Sequence, residues 1–132
     1  MSRGRVFTLL LVIILLLAGC GANKSYTYTL VSTDVYVVGG EKLKGSSSVR
    51  ATLFVSDRTI EDDVSVELEY AGKTYSGTIH GSFVFWDREP YIFADASSAY
   101  TKISGGGNEI RLTFCALVGG IWFESRQVYN RR

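Results

Sequence analysis

Between residues 64 and 80 the chain alternates. Val64, Val66, Leu68 and Tyr70 share one face, and Ser65, Glu67 and Glu69 the other. A period of two is the pattern of a strand with one buried and one wet side. Ala71-Gly72 interrupts it, after which Tyr75, Gly77 and Ile79 alternate with Thr74, Ser76 and Thr78. Strand, short glycine-containing turn, strand predicts a β-hairpin. A second hairpin is predicted near the end. Ile110, Leu112, Phe114 and Ala116 alternate in EIRLTFCALV, and IWFESRQVY returns after Gly119-Gly120. Two glycines suit such a turn because both central residues can take positive φ without a Cβ clash.

Weaker strand patterns fill the remainder. YTYTLVSTDVYVV predicts one long strand, or two broken near Ser32 to Asp34, and VRATLFV predicts another. SFVFW and YIFADA read as strands flanking Asp87-Arg88-Glu89-Pro90, a turn-like cluster whose proline limits pairing. TKISGGGNE, with Gly105 to Gly107, reads as a flexible connection. From Tyr26 onward no stretch keeps a helical period. About seven to nine short strands, with a turn signal roughly every dozen residues, predict an all-β fold. The expected architecture is an antiparallel β-sandwich, Ig-like or transthyretin-like in general shape, formed by residues 26–132 as a single domain without internal repeats. About 110 residues suffice for one core and not for two.

The first residues follow another pattern. Arg3 and Arg5 precede an almost unbroken apolar run from Val6 to Leu17. As a helix, a dozen residues span about 18 Å, against a hydrocarbon core of about 30 Å. A basic start, a short apolar run and small residues after it form the layout of a secretory signal peptide over residues 1–19. The run ends in Leu17-Ala18-Gly19-Cys20, which resembles the lipobox of bacterial lipoproteins. The resemblance covers the first twenty residues only. It implies a diacylglyceryl thioether on Cys20, cleavage before it, and acylation, such as palmitate, of the new amino group. Residues 20–25 then form a lipid-anchored tether. Gly21, where an Asp would retain the protein at the inner membrane, implies the periplasmic face of the outer membrane in a Gram-negative host. In a host with one membrane the same anchor implies the outer face of the cytoplasmic membrane.

Removing the signal changes both charge and cysteine count. Loss of Arg3 and Arg5 takes the fourteen Lys and Arg to twelve, against thirteen Asp and Glu, for a net charge of −1. That near balance argues against a nucleic-acid partner, which calls for a basic face. It also argues against electrostatic adhesion to anionic lipid. Attachment falls to the acyl chains, at about 0.8 kcal/mol per buried methylene. With Cys20 lipidated, Cys115 is a single thiol within a strand pattern, expected to be a small buried core residue.

Chemistry-bearing constellations are sparse. His80, in GTIHGS, is the one histidine. Ser76 and Ser82 are near it in sequence but do not make a triad spacing, and no Gly-x-Ser-x-Gly elbow occurs. Zinc ligands are not clustered. Asp57, Glu61, Asp62 and Asp63 lie in one predicted loop; they offer hard oxygen donors without the glycine and distal glutamate of an EF-hand, so a solvated loop is expected. No cofactor, metal or catalytic residue is expected. Aromatics are the remaining candidates. Phe83 and Phe85 alternate with Val84 and Trp86, and Trp122 opposes Ile121 and Phe123, so these segments are apolar on both faces. Either these strands are buried on both sides, by bending or a swapped sheet, or one face, carrying Trp86, Tyr91 or Trp122, is a candidate protein interface. Arg126, Arg131 and Arg132 either rim such a patch or, as is expected, form a solvated end. The resulting expectation is a lipid-anchored cell-envelope module that binds a protein partner without catalysis. The alternatives are an inhibitor or immunity-type lipoprotein that blocks an incoming hydrolase or toxin, and a small hydrolase or carbohydrate-binding module acting on envelope polymers.

Overall fold

The computed structural model describes residues 25–44, 49–57, 60, 62–90 and 92–132. The signal segment, Cys20, Glu61 and Tyr91 lie outside them. Nine strands run in chain order: β1 (Tyr26–Val37), β2 (Lys42–Lys44), β3 (Ala51–Val55), β4 (Val64–Tyr70), β5 (Lys73–His80), β6 (Phe83–Trp86), β7 (Ser98–Gly106), β8 (Glu109–Val118) and β9 (Ile121–Arg131).

The hairpins read from alternation form as expected. β4 and β5 pair from Val64↔Ile79 to Tyr70↔Lys73 around Ala71-Gly72, and β8 and β9 pair from Glu109↔Asn130 to Val118↔Ile121 around Gly119-Gly120. The whole sheet is antiparallel, ordered β2-β1-β3-β4-β5-β6-β7-β8-β9. Its first and last members also meet, since β1 pairs with β9 from Tyr28↔Arg131 to Val37↔Phe123. Eight strands therefore close a barrel, with the three-residue β2 appended to β1. This corrects the expected sandwich. Sandwich and meander barrel share the same alternation and the same hairpins. They differ only in whether the distant end strands pair with each other or lie in facing sheets.

β1 makes closure possible. Its first part pairs with β3, Tyr26↔Val55 to Thr29↔Thr52, while the other edge follows β9. The β9 register slips between Leu30 and Ser32, where Val31 bulges outward. Such a bulge bends a strand and strengthens its twist. Of the two expected alternatives, one long strand or two, the strand is thus the continuous one.

Inward positions fill the barrel. Leu53, Leu68, Ile79, Ile110 and Leu112 are fully buried, together with Tyr28 and Tyr129. An eight-stranded barrel is just wide enough to be filled by side chains, and each such aliphatic contributes about 1.5–3 kcal/mol. Part of the interior is polar. Tyr129 Oη donates to Gln127 Oε1 at 2.6 Å, and Gln127 Nε2 donates to Ser125 Oγ at 3.4 Å. Burial holds the Tyr129 hydroxyl far above its ordinary pKa, so it stays a donor. Among the described residues no buried side-chain nitrogen or oxygen lacks a partner. On β4 and β5 the outward set is Ser65, Glu67, Glu69, Thr74, Ser76 and Thr78. Polar-out, apolar-in is the reverse of a barrel wall that faces lipid.

Two segments depart from expectation. YIFADA forms no strand over its described residues, 92–96, which put Ile92 against the core and the Phe93 ring 6.1 Å from that of Phe123. The apolar residues there serve the core without pairing, because the segment turns on itself, as in the Ile92 N–H to Pro90 carbonyl bond of 2.8 Å. Conversely, Gly105 and Gly106 are not a loose connection. They belong to β7, paired with Ile110 and Glu109, and only Gly107-Asn108 turn. Gly105 is required there. Its φ is +92°, and a Cβ would stand 2.5 Å from the Glu109 carbonyl oxygen.

Candidate functional site

The barrel wall is weakest between β6 and β7. Only Phe83↔Lys102 and Val84↔Thr101 pair, with one further bond from the Ile103 N–H to the Ser82 carbonyl. Beyond Val84 the two strands share no further register pairs. Strand alternation puts Val84 and Trp86 inward and Phe83 and Phe85 outward. A cleft of about 230 Å³ opens here, lined by Phe83, Phe85, Trp86, Glu89, Ala99 and Tyr100 among others.

Aromatic rings continue outward from the cleft across the wall. Phe83 meets Tyr100 edge-on with centroids 6.1 Å apart, and Tyr100 meets Trp122 at 5.5 Å. The Phe85 ring lies 6.1 Å from that of His80. Phe83 and Tyr100 are each 42% exposed, Phe85 is 59% and Ile121 is 51%. Tyr100 is on β7 and Trp122 on β9, with β8 between them. Strands two apart stand about 9–10 Å from each other, so the two rings lean together over β8. Cys115, the register partner of Tyr100, lies beneath on the outer face and is 1% exposed. The thiol is therefore buried, but under outer-wall rings and not in the barrel interior. Its Sγ is 4.0 Å from Glu124 Oε2, and burial pushes its pKa up. That keeps the thiol protonated and unreactive.

Glu124 is nearly buried on the same outer wall and is neutralised locally. Arg126 Nε donates to Glu124 Oε1 at 2.8 Å, and Nη2 bonds the same carboxylate. The guanidinium also lies 3.9 Å from the centre of the Tyr36 ring. Arg126 is thus solvent-exposed yet held on the wall by Glu124 and Tyr36. Arg131 is likewise held in β9, 5.0 Å from the Tyr26 ring centre.

The residues singled out from sequence separate clearly. Trp86 points inward, stacks on Phe114 at 6.5 Å and 13°, and donates its indole N–H to Thr101 Oγ1 at 2.8 Å. It forms the floor of the cleft. Trp122 is half-buried on the outer wall. Phe85 and Tyr100 emerge as exposed members that sequence reasoning did not select. Their signal was the same alternation, but its sense depends on which face closes inward. His80 ends β5 beside Asp63, at 4.0 Å from Nδ1 to Oδ1, with both side chains mostly exposed. Asp62 of the acidic loop accepts the Gly81 N–H and so braces the β5–β6 turn. Among the described residues no three His, Cys, Asp or Glu cluster as metal ligands. No family model matches this chain, and no curated protein or solved structure matches it.

Proposed function

We propose that this chain is a lipid-anchored, non-catalytic module of the bacterial cell envelope, whose aromatic outer wall on β6–β9 contacts another protein at the membrane surface. The observation that carries the reading is the contiguous set Phe83, Phe85, Tyr100 and Trp122 on one outer wall. Exposed aromatic groupings of this kind mark interaction surfaces, where large rigid rings contribute most of the binding energy. Strand direction supports the same reading. β1 starts at the barrel end that carries the β5–β6 and β7–β8 turns, whereas the cleft opens toward the opposite end, that of the β4–β5 and β8–β9 turns. A tether attached through Cys20 would therefore enter at one end and leave the open end of the cleft distal to the bilayer.

The test places a photocrosslinking residue at Phe85 and, as a control, at Thr74 on the polar wall, in the native envelope. A defined protein adduct at 85 and none at 74 is expected. Adducts to glycan alone at 85, or equal protein adducts at both sites, would refute the reading. The identity of the adduct separates an assembly component from an incoming hydrolase or toxin blocked by this module. Cys20→Ser should leave an unprocessed or mislocalised precursor; normal membrane fractionation of that variant would sink the lipid-anchor part.

A further inference from the structure

Glu89 is a half-buried carboxylate at the mouth of the β6–β7 cleft, with no hydrogen-bond or ion-pair partner among the described residues. Neither the adjacent Arg88 nor Lys102 across the seam pairs with it among the described residues. Arg88 lies over the Tyr75 ring at 5.9 Å, and Lys102 pairs with Phe83 at the closed end of the seam. Burial alone raises the Glu89 pKa, with no cation opposing it. Glu89 shares the lining of the cleft with Phe83, Phe85 and Tyr100. The same wall contains the completed form of this arrangement: Arg126 lies over Tyr36 while donating to Glu124. At the cleft the ring and the carboxylate are present and the guanidinium is missing.

We infer that the β6–β7 cleft receives an arginine side chain presented by the protein partner, its guanidinium against the Phe85 and Tyr100 rings and hydrogen-bonded to Glu89. The inference rests on the binding role proposed above and names the partner's chemistry. A guanidinium suits both groups, because its plane stacks on an aromatic face while its edge donates to a carboxylate. At about 230 Å³ the cleft is smaller than the roughly 300–1,000 Å³ of small-molecule pockets and fits one long side chain. A sugar chain would favour the adjoining β4–β5 wall, where a broader groove of about 320 Å³ is lined by Ser65, Glu67, Ser76 and Thr78.

The test titrates Nα-acetyl-arginine amide, and its uncharged isostere Nα-acetyl-citrulline amide, into the full chain in detergent. NMR follows the amides of Phe85, Ala99 and Tyr100 and the Trp86 indole. Saturable shifts at these residues are expected with arginine. Binding should weaken about tenfold for citrulline and about tenfold for arginine in Glu89→Gln, the scale of one charge-assisted hydrogen bond. Asp87→Asn, which removes a neighbouring charge outside the cleft wall, should leave it unchanged. Equal shifts from both probes, no saturable shift, or equal loss in Asp87→Asn would overturn the inference. Shifts that grow with protein concentration in the absence of probe would make a second copy the donor, and would overturn the assignment to a separate partner. A protein adduct at residue 85 combined with no arginine binding defeats this inference alone. Loss of that adduct defeats the binding role itself.

Discussion

Trp86 and Phe85 are adjacent aromatics on one four-residue strand, and their removal should have opposite consequences. Trp86 is half-buried, stacked on Phe114 and bonded to the fully buried Thr101. A fully buried tryptophan replaced by alanine loses about 3–5 kcal/mol; partial exposure puts Trp86→Ala near the lower end, at about 3 kcal/mol. Trp86→Phe keeps most of the stack and loses the indole hydrogen bond, for about 1–2 kcal/mol. Phe85 is 59% exposed, so Phe85→Ala should stay within about 0.5 kcal/mol of the parent. The unfolding entropy is about 2.1 cal/mol/K per residue, so over about 110 residues each 1 kcal/mol lowers Tm by about 4–5 °C. Thermal unfolding by circular dichroism should therefore rank the parent and Phe85→Ala together. Trp86→Phe should fall about 4–9 °C below them and Trp86→Ala about 12–15 °C below. Partner crosslinking from an unmutated neighbouring wall position should be lost in Phe85→Ala and retained in Trp86→Phe. A Trp86→Ala protein as stable as the parent would refute the assignment of Trp86 to the cleft floor, and with it the inward sense of β6.

Two further outcomes follow from local geometry. Ala71 sits in the β4–β5 turn at φ 50°, a conformation that costs a residue with a Cβ about 1–2 kcal/mol. Ala71→Gly should thus raise stability by about 0.5–1 kcal/mol in urea unfolding, after the added chain entropy of glycine. The Glu89 carboxyl is shifted upward by burial, so between its unfolded and folded pKa values the native state holds more proton than the unfolded chain. The Glu89 contribution to stability should accordingly be fullest below the unfolded pKa and decline as pH rises through the folded one. Glu89→Gln should flatten that decline in unfolding curves measured across the acidic range. An identical pH profile in the two proteins would show that Glu89 is not desolvated.

Local pattern misreads YIFADA as a strand and the glycine end of β7 as a connection, yet the sequence by itself specified both glycine hairpins and the antiparallel class. Each rests on a local cause: alternation over seven or more residues, and turns whose φ only certain residues tolerate. It also marked residues 83–86 and 121–123 as apolar on both faces, which is why aromatics there were candidates. It could not determine closure, because the β1–β9 pairing joins residues about 90–100 positions apart and leaves no local mark. Closure then decided everything that depends on inside and outside. It turned Trp86 inward and Phe85 outward, and placed Gln127 and Ser125 in the interior. It also set Cys115 on the outer wall yet under cover. That cover is the clearest case: Tyr100 and Trp122 are 22 positions apart in sequence and touch only because β7, β8 and β9 lie side by side. Glu89 shows the same dependence. In sequence it belongs to a turn-like cluster, and only where the β6–β7 pairing ends does it join a cleft lined by rings. Local pattern sets what each segment can become, and the long-range register sets which of its faces meets water.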